Sequence, residues 1–73
     1  MDDQIRERIQ ELIDLRPVND TFSLRELMGA EWPQRGVNAL GIAFKAAVRA
    51  NEFHRVIWHH AKTNHTQVYM RIG

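Results

Sequence analysis

The apolar positions between Asp3 and Leu15 recur every three to four residues, which is the period of an amphipathic helix. Acidic residues begin this segment and Arg16 ends it, an arrangement that the helix macrodipole favours. Pro17 follows and predicts that the helix stops there. We therefore expect a first helix over 3–15, whose apolar stripe faces either the core of its own domain or a second copy of the chain.

A second, shorter helix is predicted after a brief extended segment at residues 21–22. Ser23 and Glu26 have the spacing of a capping box, in which a hydroxyl and a carboxylate each bind an unpaired amide at a helix start. A helix over 24–28 follows. Gly29 suits the position after its last turn because glycine readily adopts a left-handed conformation.

The longest helical pattern begins at Val37 and places a row of apolar residues on one face, which predicts a third helix over 37–51. Gly36 marks its entrance, and Gly41 inside it predicts a close approach of another backbone. The face turned away from the apolar row is polar and basic, apart from one isoleucine. It carries Asn38, Ile42, Lys45, Arg49 and Glu52.

Two segments rich in β-forming residues, 55–61 and 66–72, are joined by a polar turn at 62–65, which predicts a β-hairpin. The second segment alternates, so that one face carries Val68, Met70 and Ile72. This alternation predicts that Tyr69 is exposed, whereas Trp58 is expected to pack in the core. Trp32, in the turn before the third helix, is expected to pack in the junction between the helices.

Four histidines lie in the last third of the chain and raise the question of a metal site: His54, His59, His60 and His65. His59 and His60 are neighbours on a predicted strand, so their side chains are expected on opposite faces, where they do not converge on one ion. His60 shares the predicted face of Trp58 and is expected to be partly buried. The sequence has no cysteine, and we predict neither a metal nor a cofactor.

The length of 73 residues predicts one domain over 1–73, because single cores usually take about 50–200 residues. No nucleophile with a base is evident, since cysteine is absent and Ser23, the only serine, is assigned to a helix cap; we do not expect an enzyme. The acidic start and the lack of a long apolar run predict neither a signal peptide nor a membrane span, hence a cytoplasmic protein.

Charge is distributed unevenly along the chain although the formal net charge is only +1. Residues 1–33 contain four basic and eight acidic residues, whereas residues 34–73 contain six basic residues and a single acid. A one-sided basic surface is typical of proteins that bind phosphates. The alternative is that the acidic first helix packs near the basic half and neutralises it.

The predicted order of elements resembles that of winged helix-turn-helix domains. The residues Phe22-x-Leu24-x-x-Leu27, Trp32, Leu40-Gly41-x-x-Phe44-Lys45 and Tyr69-x-Arg71 are also similar to the pattern of a small bacterial family of uncharacterised single-domain proteins. The resemblance implies an α+β fold with three helices followed by a β-hairpin wing. It also implies that 24–28 is the supporting helix, 37–51 the recognition helix and 62–65 the tip of the wing.

This fold predicts a double-stranded DNA-binding module, a small transcriptional regulator or accessory factor. The recognition helix would enter the major groove, where its face must offer hydrogen-bond donors to base edges and cations to phosphates, while the turn at 62–65 lies on the backbone or in the minor groove. Lys45 and Arg49 also fit an ordinary solvated helix face. The predicted DNA-binding residues are Arg35, Asn38, Lys45, Arg49, Lys62, Asn64, His65 and Arg71.

The alternative is a protein-interaction module of the same winged-helix shape, of the kind that phages and mobile elements encode. Ile42, Tyr69 and the basic face would then bind an acidic protein, and RNA binding is a third hypothesis. One small module buries little DNA surface, so useful specificity is expected to need a homodimer or a protein partner. The acidic first helix is the candidate for that contact.

Overall fold

Three helices and a three-stranded antiparallel sheet make up the chain in a computed structural model that describes residues 1–62 and 66–73. A 3₁₀ turn at Gly29–Glu31 follows the second helix. The predicted α+β class is confirmed. The elements in chain order are α1 (Asp3–Leu15), β1 (Thr21–Phe22), α2 (Leu24–Met28), α3 (Val37–Arg49), β2 (Val56–Ala61) and β3 (Gln67–Arg71).

The helix boundaries follow from local chemistry. The carboxylate of Asp2 accepts a hydrogen bond from the Gln4 amide at 2.8 Å and caps α1, and the Ser23 hydroxyl accepts one from the Glu26 amide at 3.2 Å and caps α2. Gly36 precedes α3 with a φ of 72°, a left-handed conformation that glycine adopts without steric cost.

The short strand β1 is the element that completes the sheet. The strand order is β1-β3-β2, so β3 is central and its two partners run antiparallel to it. The Cα partners are Thr21 and Met70, then Phe22 and Tyr69, in the β1–β3 pair. The extended segment predicted at 21–22 is therefore confirmed, and pairing with β3 gives it a structural role that the sequence pattern did not show.

The core lies between the sheet and the inner faces of the helices, with Phe44 of α3 at its centre. Phe44 is fully buried, and its ring meets those of Phe53 and Tyr69 edge to face, at centroid distances of 5.1 and 4.7 Å. Ile9 and Ile13 of α1 close the core from the other side. The apolar stripe of α1 thus faces its own domain, as the first of the two interpretations predicted.

The assignment of strand faces from the sequence was wrong for the two large aromatic residues of the hairpin. Tyr69 is only 1% exposed, whereas Trp58 is 40% exposed. Val68 and Tyr69 are both buried although they are neighbours on β3, so simple alternation does not identify a solvent face on this strand. The packing of the Tyr69 ring against Phe44 determines which face of β3 is directed into the core.

An irregularity in the β2–β3 pairing also overturns the prediction for the two adjacent histidines. The register shifts between Trp58 and His60, which breaks the alternation of side chains at His59. The rings of His59 and His60 consequently contact each other, with centroids 4.8 Å apart, and both residues are exposed. His60 is therefore not partly buried as expected.

Two further expectations about turn and helix residues have different outcomes. Trp32 is partly buried and packs against the core cluster, in agreement with its predicted place between helices. Gly41 was expected to mark a close backbone approach, but a Cβ built at this position has no atom within 4 Å apart from its chain neighbours and its own helix backbone. Nothing in the described structure therefore requires glycine there.

Candidate nucleic-acid interface

The ten lysine and arginine residues divide sharply according to what they contact. Four arginines form ion pairs with carboxylates: Arg6 with Glu52, Arg8 with Glu11 and Glu31, Arg16 with Asp20, and Arg55 with Asp14. Arg71 binds backbone carbonyls instead. Within residues 1–62 and 66–73, the other five cations have no ion pair: Arg25, Arg35, Lys45, Arg49 and Lys62.

Neutralisation by the acidic first helix, the alternative interpretation of the charge pattern, is only partly correct. Asp14 of α1 pairs with Arg55 at 3.2 Å, so one cation of the basic half is used in this way. Arg8, which lies on α1 itself, donates hydrogen bonds to Glu31 outside this helix, and these bonds hold the pKa of the Glu31 carboxyl below its usual range. The cations on and beside α3 are left unneutralised by α1.

The solvent face of α3 carries the residues that the sequence predicted there. Asn38, Ile42 and Arg49 are exposed, and Ile42 is 73% exposed. Lys45 is half-buried because its ammonium lies 5.4 Å from the centroid of the Trp58 ring, a cation–π contact. One helix face therefore presents an amide, an aliphatic side chain and two cations.

Trp58 is held in place beside this helix face. Its indole Nε1 donates a hydrogen bond to Oε1 of Gln67, on the paired strand, at 2.7 Å. The residue expected in the core is instead a half-exposed platform under Lys45. The alternation argument missed this role because the register shift after Trp58 lies outside what a sequence pattern can show.

A groove of about 690 Å³ runs along α3, between the start of α2 and the start of β3. None of its lining residues comes from α1. Arg25 and Gln67 were not predicted as site residues because they lie far along the chain from α3; the available signal was an arginine in the first turn after the Ser23 cap. The polar side chains that line the groove are Ser23, Arg25, Asn38, Lys45, Thr66, Gln67 and Tyr69.

Arg35, Arg49 and Lys62 do not line this groove. Arg35 is exposed in the turn before α3, and Lys62 is exposed after β2, where its amide donates to the Thr66 carbonyl at 2.8 Å. Asn64 and His65, predicted at the wing tip, lie outside the described residues. The structure thus brings Asn38 and Lys45 together with Arg25, and leaves Arg35, Arg49 and Lys62 as separate exposed groups.

Arg71 must be withdrawn from the predicted DNA contacts. Its side chain is directed into the protein, the residue is only 9% exposed, and its Nε donates to the Ile13 carbonyl at 3.2 Å. Its Nη1 donates to the carbonyls of Ile72 and Gly73. A cation at this place satisfies the C-terminal end of α1 and ties the end of the chain to it.

We expect the Arg71→Met variant to lose about 1–3 kcal/mol of unfolding free energy, because buried charge-assisted hydrogen bonds disappear while the aliphatic stem remains. Urea unfolding followed by circular dichroism measures this loss. The exposed Arg49→Met variant is the matched control and should change stability by less than about 0.5 kcal/mol. Equal stability of the Arg71 variant and the natural chain would contradict the structural role.

No family model matches the chain, and neither a curated protein nor a solved structure matches it. The resemblance to winged helix-turn-helix domains and to a small bacterial family therefore stays a prediction. Within the described residues, no three side chains of histidine, aspartate or glutamate are grouped to hold a metal ion. No helix in residues 1–62 and 66–73 is both long and apolar enough to cross a membrane.

Proposed function

We propose that the protein is a winged-helix module that binds double-stranded DNA. Two features of the fold support this proposal. The strand β1 separates the first two helices and the β2–β3 hairpin follows the third, which is the element order of winged helix-turn-helix domains. The β2–β3 hairpin also contacts α3, since the Lys45 ammonium lies 5.4 Å from the centroid of the Trp58 ring, and this contact supports a surface shared by a helix and a wing.

The observation that carries the proposal is the division of the cations. Every arginine of α1 is paired with a carboxylate, whereas no ion pair within the described residues involves the cations of α2, of α3 or of the segments before α3 and after β2. An unpaired cation gains most when it meets a phosphate, since its charge is not already neutralised and it releases condensed counterions from DNA. These unpaired cations are therefore the ones available to DNA, where each displaces condensed counterions whether it binds a phosphate or a guanine edge.

The proposed mechanism places α3 in the major groove. Asn38, Lys45 and Arg49 contact base edges there, since an amide pairs with adenine and a cation with guanine. Ile42, the exposed aliphatic residue on this face, contacts thymine methyl groups. Arg35 and Lys62 bind phosphates, which sets the orientation of the helix, and the turn at 62–65 lies on the backbone or in the minor groove.

A salt titration tests the proposal directly. Binding to a fluorescently labelled generic duplex is measured by anisotropy between about 50 and 200 mM salt. If each of the five unpaired cations of the described residues displaces about one condensed counterion, the logarithm of the association constant should fall against the logarithm of salt concentration with a slope of about −4. A folded protein that shows no binding at the lower salt concentration would overturn the proposal.

A second candidate function is binding of an acidic protein, and one observation favours it. Ile42 and Trp58 are exposed on either side of Lys45, which gives the basic face an apolar component. The two functions respond differently to substitution. The Ile42→Ala variant should weaken a protein interface strongly, whereas binding to a generic duplex should lose only one apolar contact and should depend mainly on the cations of α3.

A further inference from the structure

The floor of the groove along α3 contains a hydroxyl group that has no hydrogen-bond partner among residues 1–62 and 66–73. Tyr69 lines the groove, and its ring is packed against Phe44. Its side chain has no hydrogen bond within the described residues. The only side-chain nitrogen or oxygen of that part of the chain that is both fully enclosed and unpartnered is Arg6 Nε, so the Tyr69 hydroxyl reaches the groove.

This hydroxyl is a hydrogen-bond donor at any physiological pH. Burial raises the pKa of Tyr69 to about 12, because the phenolate is disfavoured in an apolar environment. A ligand at the floor of the groove must therefore offer an acceptor. An anionic oxygen is the acceptor that forms the strongest hydrogen bond with this donor, because the bond is charge-assisted.

The walls of the groove select for negative charge. Arg25 from α2 and Lys45 from α3 both line it, and neither has an ion pair within residues 1–62 and 66–73. No acidic side chain lines the groove. Leu24 and Trp32 add apolar surface on which a sugar can pack. Cations, a hydroxyl donor and apolar surface together match a sugar linked to a phosphate.

We infer that the groove binds one strand of the DNA backbone. The Tyr69 hydroxyl donates a hydrogen bond to a phosphate oxygen of this strand, and Arg25 supplies a cation from outside α3. This inference rests on the proposed function. The groove is open to solvent and shares Asn38, Ile42 and Lys45 with the exposed face of α3, so a strand in the groove belongs to a duplex that the same helix contacts. The start of α2 then lies against the DNA as well.

Two substitutions test the inference. Arg25→Gln removes the cation and Tyr69→Phe removes only the hydroxyl, and neither touches the cations of α3. We expect each to weaken duplex binding about threefold to tenfold, with similar losses on unrelated sequences because the backbone is common to all of them. Arg25→Gln should also reduce the salt slope by about 1, whereas Tyr69→Phe should leave it unchanged.

The controls separate contact from folding. Arg8→Gln removes a cation that is paired with Glu31 and lies away from the groove, and it should not alter the affinity. Thermal unfolding of the Tyr69→Phe variant should match that of the natural chain, since the lost hydroxyl has no protein partner. Tyr69 is the only tyrosine in the sequence, so a carbon-13 label on tyrosine reports the groove directly. Its ring signals should shift with duplex and return with added salt.

The outcomes distinguish this inference from the proposed function. If Arg25→Gln and Tyr69→Phe bind duplex like the natural chain while substitution of Lys45 and Arg49 weakens binding, the inference is wrong and the proposed function stands. If the natural chain binds no duplex, both are wrong. Deoxyadenosine monophosphate is the third probe: tyrosine shifts with this nucleotide and none with duplex would also overturn the inference, in favour of a small-molecule site.

Discussion

Replacing Phe44 with alanine is expected to lower the free energy of unfolding by about 3–5 kcal/mol, the largest stability loss that we anticipate for this chain. Phe44 is fully buried and contacts the rings of Phe53 and Tyr69, so the substitution removes apolar burial and two edge-to-face contacts and leaves a cavity. A 73-residue domain has about 4–11 kcal/mol of stability in total at typical per-residue values.

Urea unfolding monitored by circular dichroism measures the effect. Ile42→Ala is the matched control on the same helix, because Ile42 is mostly exposed; it should cost less than about 0.5 kcal/mol. If Phe44→Ala does not fold at all, Phe44→Leu gives a measurable intermediate loss. A Phe44→Ala variant as stable as the Ile42→Ala variant would contradict the placement of the core.

The largest effect on binding is expected from the double variant Lys45→Gln/Arg49→Gln. We expect its affinity for duplex DNA at about 50 mM salt to fall about 100-fold, since each base or phosphate contact contributes about 1–3 kcal/mol. Removal of two cations should also make the salt slope shallower by about 2. Glutamine keeps the helix propensity of α3 and retains a polar side chain, so the change tests charge and not folding.

The control double variant Arg8→Gln/Arg55→Gln changes the net charge by the same amount at sites where the cations are already paired. It should bind duplex within about twofold of the natural chain if local contacts dominate. Equal losses in the two double variants would mean that only net charge matters. That result would contradict a docked α3 and leave only diffuse electrostatic attraction.

Comparison of these variants with Ile42→Ala decides between the two candidate functions. Ile42 has no charge and contributes only an apolar contact on the exposed face of α3. The protein-interaction module would be supported by two results together: neither the natural chain nor any variant binds duplex, and Ile42→Ala loses binding to an acidic protein. Tyr69→Ala would have served the same purpose if Tyr69 were exposed, as the sequence predicted. It is unsuitable because the Tyr69 ring is part of the core.

The sequence by itself determined the elements and most of their ends. The period of the apolar residues located α1 and α3, and the chemistry of Ser23 and Gly36 placed the helix starts, because caps and left-handed glycines depend on neighbouring backbone atoms alone. The polar face of α3 was also predictable, since side chains three and four residues apart share a helix face.

Only the tertiary structure decided which strand residues are buried and which cations are unneutralised. Tyr69 and Trp58 exchanged their expected environments, because Tyr69 packs against Phe44 of α3 and a register shift interrupts the pairing of β2 with β3. Arg71 proved to bind the Ile13 carbonyl, 58 residues away along the chain, and Arg25 lines the groove from another helix. The physical reason is that burial and ion pairing depend on groups distant along the chain, which no local pattern records.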